Sequence, residues 1–448
     1  MAVIISGGSA GAGAEKHDIL VGDIIRSLSV GGANWVPADG RTVDKTVFPE
    51  LYNLLPYRPQ TFYVESPKKS ITGISTSGVY TRLHFLKKLN GFYVGMVNGT
   101  LIYRSTGATN WTKRDITSTV LGGHYRIGYA DMIYDDTNGQ YLLAAQVGSS
   151  SGSATGYAKL FSLPTISGTI SQVFANSNVG SGACPVILSK IGTDYFYRDS
   201  SYDNAQAMNN KSKMYHATNP TGTWTEIKGS DFGMNYSVNC VKKINNRWFI
   251  GSSLVSGSTV YPAVAISEEN QSFASATWTI RTMPNGIATS QNPSRYRFVN
   301  NVVYMPQSGA YLFVVGEEDD EEDEGYYTVD LFPTTGTPTF TAFPTTTQAA
   351  PRVGGMWYHS RIVDGILYTP SGAYRDIPGN TGNPLTYKFS YNYPMDIDMP
   401  HLMTDDGLYV KFQSDSTTAV DVYTCDKCVP YIEPQNGMVY KIKAAEEG

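Results

Sequence analysis

The chain has 448 residues, of which 16% are charged and 41% hydrophobic, with 32 Tyr, 6 Trp and a formal net charge of −5. That is ample material for a core and too little clustered positive charge for a general nucleic-acid surface, so intrinsic disorder and nucleic-acid binding are set aside. No stretch of about 18 apolar residues offers a membrane span, no secretory leader is expected at the N-terminus, and 4 Cys cannot form a disulfide scaffold.

Residues 1–18, rich in Gly, Ala and Ser, read as a flexible arm. A helix is expected next, because Val47, Leu51, Leu54 and Leu55 recur at helical spacing, Thr46 is placed to cap it and Pro49 falls in its first turn. After Pro56 helical periodicity gives way to short alternating apolar runs between Gly, Asn, Ser, Thr and Pro clusters, which is the pattern of strands.

The strands repeat. Aromatic-led runs are centred on Tyr93, Leu142, Phe196, Phe249, Leu312 and Leu367, so the steps are 49, 54, 53, 63 and 55 residues. Turn signals precede them at Asn90-Gly91, Asn138-Gly139, Gly192-Thr193, Asn245-Asn246, Ser308-Gly309 and Asp364-Gly365. A second marker closes the units at Thr109–Thr112, Thr223–Thr225, Thr277–Thr279 and Thr339–Thr341; the second and sixth units carry only Thr169–Ser171 and Tyr387–Phe389 there. Six such units predict a β-propeller over residues 70–391, each blade burying its faces against its neighbours.

The Thr-Trp-Thr units resemble the Asp-box turn of sialidase-like propellers, with Arg104–Trp111 the nearest copy and Thr218–Trp224 a looser one. The box is degenerate, so the resemblance implies architecture and not activity, and its tryptophans are expected to pack between strands. Outside the propeller, Gly22–Ser27, Trp35, Ala38–Arg41 and Phe48–Tyr52 resemble the phage tail-collar domain. The remainder of that pattern follows the propeller, as Met395–Leu402, Tyr409–Phe412 and Tyr440–Ala444. The expected fold is therefore all-β, a six-bladed β-propeller inserted into a small α+β tail-collar-like domain whose halves are residues 19–69 and 392–448. Within it Trp35 and Tyr52 read as core and Asp39-Gly40 as a tight turn.

Few residues suggest chemistry. Cys425 and Cys428 form one CxxC, open to three readings: structural thiols, a local disulfide, or a metal shared between chains. Cys184 and Cys240 read as buried apolar residues. The histidines, at 17, 84, 124, 216, 359 and 401, show no ligand spacing. No metal or cofactor is expected. Arg126, Arg297 and Arg352 lie 15, 14 and 14 residues before Tyr141, Tyr311 and Ile366, where the innermost strand of a blade would begin. At the mouth of a central channel they are either structural, a site for an anionic ligand, or part of a catalytic site, since guanidinium grips carboxylate bidentately. Glu317, Glu318, Asp319, Asp320, Glu321, Glu322, Asp323 and Glu324 form an unbroken acidic run that reads as the tip of a hairpin in blade five, either a solvated loop or a site for a cation or a basic partner. Other long tips, at 148–156, 199–213, 254–260 and 372–384, carry the Ser, Asn, Tyr and Gly of binding loops.

The collar resemblance implies a bacteriophage tail-fibre or tail-tip structural protein, made in the host bacterial cytoplasm and assembled as a homotrimer into the virion. Its partners would be other tail proteins and a host cell-surface receptor or glycan, with no membrane insertion. No catalytic activity is expected, because no acid, base or nucleophile can be read beside the arginines. The rival reading is a sialidase-like or other glycan-degrading propeller enzyme.

Overall fold

Alternating apolar residues and tight turns dictate the architecture. Asn90 and Gly91 take φ of 44° and 75°, and Asn245 and Asn246 take 48° and 61°. This left-handed backbone is what a two-residue hairpin needs to follow the twist of its strands. The computed structural model describes residues 21, 24–27, 32–55, 57–58, 67–76, 82–123, 126–148, 155–180, 186–200, 212–284, 287–288, 297–306, 309–317, 325–329, 340–342, 361–363, 366–369, 372–375, 402–413, 416–429 and 439–445. Nearly all regular structure among them is β.

Six antiparallel sheets follow one another, each in simple chain order. Blade one holds Leu83–Leu89, Phe92–Val97, Thr100–Ser105 and Thr112–Asp115. Blade two holds Arg126–Asp135, Gln140–Gly148, Thr155–Leu163 and Ser171–Gly180, and blade three Ile187–Ile191, Asp194–Ser200, Ser212–Ala217 and Thr225–Ile227. Blade four holds Cys240–Ile244, Arg247–Ser256, Thr259–Ser267 and Trp278–Thr282, with Ile287–Ala288 added to its third strand. Blade five holds Arg297–Met305, Ala310–Glu317, Gly325–Val329 and Phe340–Ala342, and blade six Arg361–Val363, Ile366–Thr369 and Gly372–Arg375. The first strands of all six line a single cavity, so the sheets are the blades of a propeller.

Apolar clusters fill the spaces between blades. Phe85, Val94 and Met96 of blade one meet Met132, Leu143 and Phe161 of blade two. Leu142 and Leu160 meet Leu188 and Tyr197 of blade three, and Phe249 and Val264 meet Val302 and Phe313 of blade five. The aromatic-led strands are second in their blades and are buried on both faces, which is why aromatic and aliphatic residues run unbroken through them. Trp224 is buried in blade three with its Nε1 donating to Pro220 O at 3.1 Å, while Trp111 and Trp278 are only partly buried.

The segments flanking the propeller share sheets. Val439–Lys443 lies between Ile24–Ser27 and Trp35–Pro37, with Ile24 opposite Ile442 and Val36 opposite the same residue. Val420–Thr424 joins Leu408–Phe412 to Lys68–Ile71, and Asp426–Lys427 pairs with Tyr57–Arg58. One cluster runs from this chain-end layer (Val36, Leu51, Val410) into blade one (Leu86, Val97) and blade six (Val363, Tyr368). The layer thus sits on the seam where the ring closes. Tyr57 N donates to Tyr368 Oη at 2.7 Å on the blade-six side, and Tyr93 Oη donates to Asp406 Oδ2 at 2.7 Å on the blade-one side.

The expected helix is shorter than its apolar spacing suggests. It spans Pro49–Leu54 with Phe48 at its N-cap. Thr46 does not cap it, because its N–H and hydroxyl both donate to Asp44 Oδ1, at 2.7 and 2.6 Å, folding the entry as a local turn. Val47 is consequently 59% exposed, and Leu51 and Leu55 are the residues that anchor the helix. Trp35 and Tyr52 are only partly buried, beneath the Lys441 and Lys427 ammonium groups. Gly40 takes φ 82°, as the Asp39-Gly40 turn requires. Several expectations lie outside the described residues: the arm at 1–18, Cys184, the tips at 149–154 and 201–211, the markers at 339 and 387–389, and the collar-like run at 395–401.

Candidate functional site

The cavity on the propeller axis has a volume of about 350 Å³ and is lined by Lys87, Asp131, Ser189, Lys242, Asn301 and Arg361, one from each first strand, with others beside them. Phe196 and Met214 form an apolar part of the wall. Blade five contributes two adjacent amides, Asn300 and Asn301, because a bulge shifts its register between Val299 and Asn301. A bulge lets consecutive side chains reach one side of a strand.

An ion pair forms part of the wall. Lys87 Nζ donates to Asp131 Oδ1 and, at 3.0 Å, to Met132 O. Asp131 also accepts from Met132 N at 2.8 Å and, through Oδ2, from Leu188 N at 3.0 Å, so the carboxylate ties blades one, two and three together. Lys242 faces this pair across the cavity. Its side chain is partly exposed to the lumen, yet desolvation pushes its amine below the ordinary lysine range; the Lys87 cation adds to the effect, and Cys240 and Asp131 oppose it. No hydrogen bond or ion pair from a described residue occupies that amine. Cys240 is buried beside it, with its thiol pushed up to about 11 by burial. Arg361 reaches from blade six and donates to Met403 O, with Asp405 3.3 Å away; its Nε is buried and has no hydrogen-bond partner.

Of the residues singled out from the sequence for chemistry at the channel, the structure describes only backbone positions. Arg126 and Arg297 open the first strands of blades two and five, at the phase expected of them, and Arg297 is the register partner of Glu317. Their side chains, the side chain of Glu317, and the whole of Arg352 and of Glu318, Asp319, Asp320, Glu321, Glu322, Asp323 and Glu324 lie outside the described residues. The acidic run does connect two paired strands, since Val315 is opposite Gly325. Cys425 and Cys428 are both buried thiols, and Thr42 bridges to Cys428 where the two chain ends meet. Among the described residues no group of three or more His, Cys, Asp and Glu is placed to hold a metal, and no helix is long and apolar enough to cross a membrane. His216 Nε2 lies 2.7 Å from Asp194 Oδ1, and His84 is buried with its pKa lowered to about 3 by desolvation. His17, His124, His359 and His401 are outside the described residues.

Lys87, Asp131, Lys242 and Arg361 were not legible as a site from the chain alone. A signal for three of them existed. Lys87, Lys242 and Arg361 each stand two residues before the pair that closes the first hairpin of a blade, Leu89 with Phe92, Ile244 with Arg247 and Val363 with Ile366.

No family model matches the chain, and no curated protein matches it. Among solved structures it is similar to the α-L-arabinanase of Penicillium chrysogenum, at 14% identity and a TM-score of 0.36 over 70% of this chain and 92% of that one. It is similar to the GH93 α-L-arabinofuranosidase of Fusarium graminearum, at 12% identity and 0.36 over 71% and 95%. The exo-β-1,3-galactanase of Phanerochaete chrysosporium matches at 13% identity and 0.31 over 63% and 69%. Such values carry the likeness no further than the all-β ring. These neighbours are glycoside hydrolases and not tail proteins, and against them the expectations of a phage tail-fibre structural protein and of a chain without enzymatic activity are withdrawn. The physical reason for the error is plain in the fold. The residues that suggested a tail protein pack: Val36 and Leu51 are core, and they carry no chemistry that could specify a role.

Proposed function

We propose that the chain is a glycan-degrading β-propeller whose saccharide is seated in the central channel beside the Lys87–Asp131 pair. The channel lining carries this reading. A cavity of about 350 Å³ is at the lower end of the size range of small-molecule sites, roughly 300–1,000 Å³. Its amides Asn239, Asn300 and Asn301 are groups that hydrogen-bond hydroxyls, and Phe196 offers an apolar surface to the C–H face of a sugar ring.

Two residues are placed for chemistry. Glycoside cleavage develops positive charge at the anomeric carbon, and a carboxylate fixed beside it lowers the barrier. Asp131 is held rigidly for that task by Lys87, Met132 N and Leu188 N. Lys242 is the group placed to exchange a proton, since its amine lies below the ordinary lysine range in the same cavity.

The test is release of reducing ends from a panel of oligosaccharides, neutral arabino- and galacto-oligosaccharides and uronate-containing ones, with Asp131→Asn as the comparison. Turnover by the parent and a loss of about a hundredfold or more in the variant is expected. Absence of both binding and cleavage across the panel overturns the reading, as does an Asp131→Asn protein that is folded and fully active.

A further inference from the structure

The channel holds more positive charge than its own carboxylate answers. Lys87 is opposite Val94, Lys242 opposite Phe249 and Arg361 opposite Tyr368, so the three occupy one register position in blades one, four and six. Equivalent positions in a propeller lie at one level of the channel, because each blade is the same unit rotated about the axis. All three line the cavity with Lys243 beside them; Asp131 is the one carboxylate among its lining residues, and Arg361 also has the exposed Asp405 3.3 Å away. Cations gathered at one level of a low-dielectric lumen repel one another unless an anion joins them.

Each has capacity left for a ligand. Lys87 uses two donors, on Asp131 and Met132 O, and an ammonium has three. The Lys242 amine is occupied by no described residue, and Arg361 Nε is buried without a partner.

We propose that the saccharide taken by this channel carries a carboxylate, as a hexuronate does, and that Lys87, Lys242 and Arg361 form its anion site. The inference rests on the glycan reading above and narrows its substrate class. Asn300 and Asn301 then meet the hydroxyls of the same sugar, and Asp131 holds Lys87 in place while leaving the cation excess intact. The lowered Lys242 amine fits this arrangement, since an arriving carboxylate favours its ammonium form and opposes the desolvation.

The test compares a galacturonate trisaccharide with the same trisaccharide after its carboxylates are reduced to neutral alcohols, by calorimetry on the full chain. The acid form is expected to bind at least about tenfold more tightly, with affinity falling as salt rises. Lys242→Met lowers affinity for the acid form about tenfold more than for the neutral form, and Lys242→Arg restores most of the difference. A second measurement needs no variant: at alkaline pH the acid form takes up protons on binding, read from the difference in heat between buffers of different ionisation enthalpy, whereas the neutral form does not. Equal binding of both forms, unmoved by Lys242→Met, overturns the anion site and leaves the glycan reading standing. Inorganic sulfate binding as tightly as the trisaccharide also overturns it. Binding of neither saccharide overturns both.

Discussion

The ring of blades and the layer at the chain ends are both antiparallel β-structure, but they are held together in opposite ways. In the ring each strand bonds to the next in the chain, and two-residue turns such as Asn90-Gly91 set the register. In the layer Ile24 lies opposite Ile442 and Tyr57 opposite Lys427, so apart from the hairpin of Leu408–Phe412 and Val420–Thr424 its pairings are far apart in the chain. Closing such long loops is entropically costly, and only a shared core offsets it. The cluster that joins Leu51 and Val410 to Leu86 of blade one and Tyr368 of blade six is that core. The layer acts as a clasp on the seam between the first and last blades, and among the described residues no other seam carries such a layer.

Ending the chain at residue 438 breaks the comparison most severely. It removes Val439–Lys443 and leaves both N-terminal strands without their partner. Hydrogen exchange is expected to show lost protection in the chain-end layer first, then in blades one and six, with blades two to four holding theirs. Equal loss in all six blades would show that the clasp governs the whole ring and not one seam.

A single substitution in each region sharpens the contrast. Leu86 is fully buried in the shared cluster, and Leu86→Ala is expected to cost about 2–5 kcal/mol. Gly251 lies at the seam of blades four and five, where a Cβ would stand 2.3 Å from Val299 O and 2.5 Å from Cys240 Sγ. Gly251→Ala must push the blades apart, at a cost of about 1–3 kcal/mol. Calorimetric unfolding reads both. Exchange should place the Leu86 damage at the clasp and the Gly251 damage at the neighbouring pair of blades. A Gly251→Ala protein as stable as its parent would mean that this seam yields freely.

The same contrast explains what could be read from the sequence. The ring was legible because its turns and its doubly buried second strands repeat: Tyr93, Phe196, Phe249 and Leu312 must be large and apolar wherever a strand lies between two others and two blades. The joining of the chain ends was expected only from the tail-collar resemblance of Gly22–Ser27 and Tyr440–Ala444, since Ile24–Ser27 by itself contains nothing that selects Val439–Lys443. The site was hidden for a third reason. In LHFLKKL and CVKKI a lysine looks like the polar half of an ordinary alternation. Only alignment of the hairpins shows that Lys87, Lys242 and Arg361 share one position, and Asp131, opposite Ala144 in a longer strand, does not share it. Arg126 and Arg297 open the first strands of blades two and five, which also carry Asp131, Asn300 and Asn301, whereas Lys87, Lys242 and Arg361 stand in blades one, four and six.

The smallest expected effect concerns the polar contacts across the clasp. Asp406 accepts from Lys88 Nζ at 2.8 Å, Tyr93 Oη at 2.7 Å and Thr404 Oγ1 at 2.8 Å, joining the chain-end layer to blade one. Burial alone would raise its pKa, but these donors outweigh burial and hold the carboxyl below its ordinary range. A carboxyl lowered on folding stabilises the fold above its unfolded value of about 4, and that contribution is lost as pH falls through the folded value. Lys88 is raised by its hydrogen bond to Asp406, so its contribution is complete below about 10.4 and is lost as pH rises through the folded value. Both terms are present near neutral pH. The Lys88 side chain is 47% exposed and that of Asp406 36%, so water and salt screen the pair and the effect stays small. Exchange protection at the seam should therefore decline below about pH 4, more gently at high salt, and Asp406→Asn should flatten that acid limb while leaving the other seams unchanged. An acid limb identical in the variant would assign the decline to other carboxylates, Asp421 with its partners Ser70, Gln413 and Lys68 foremost.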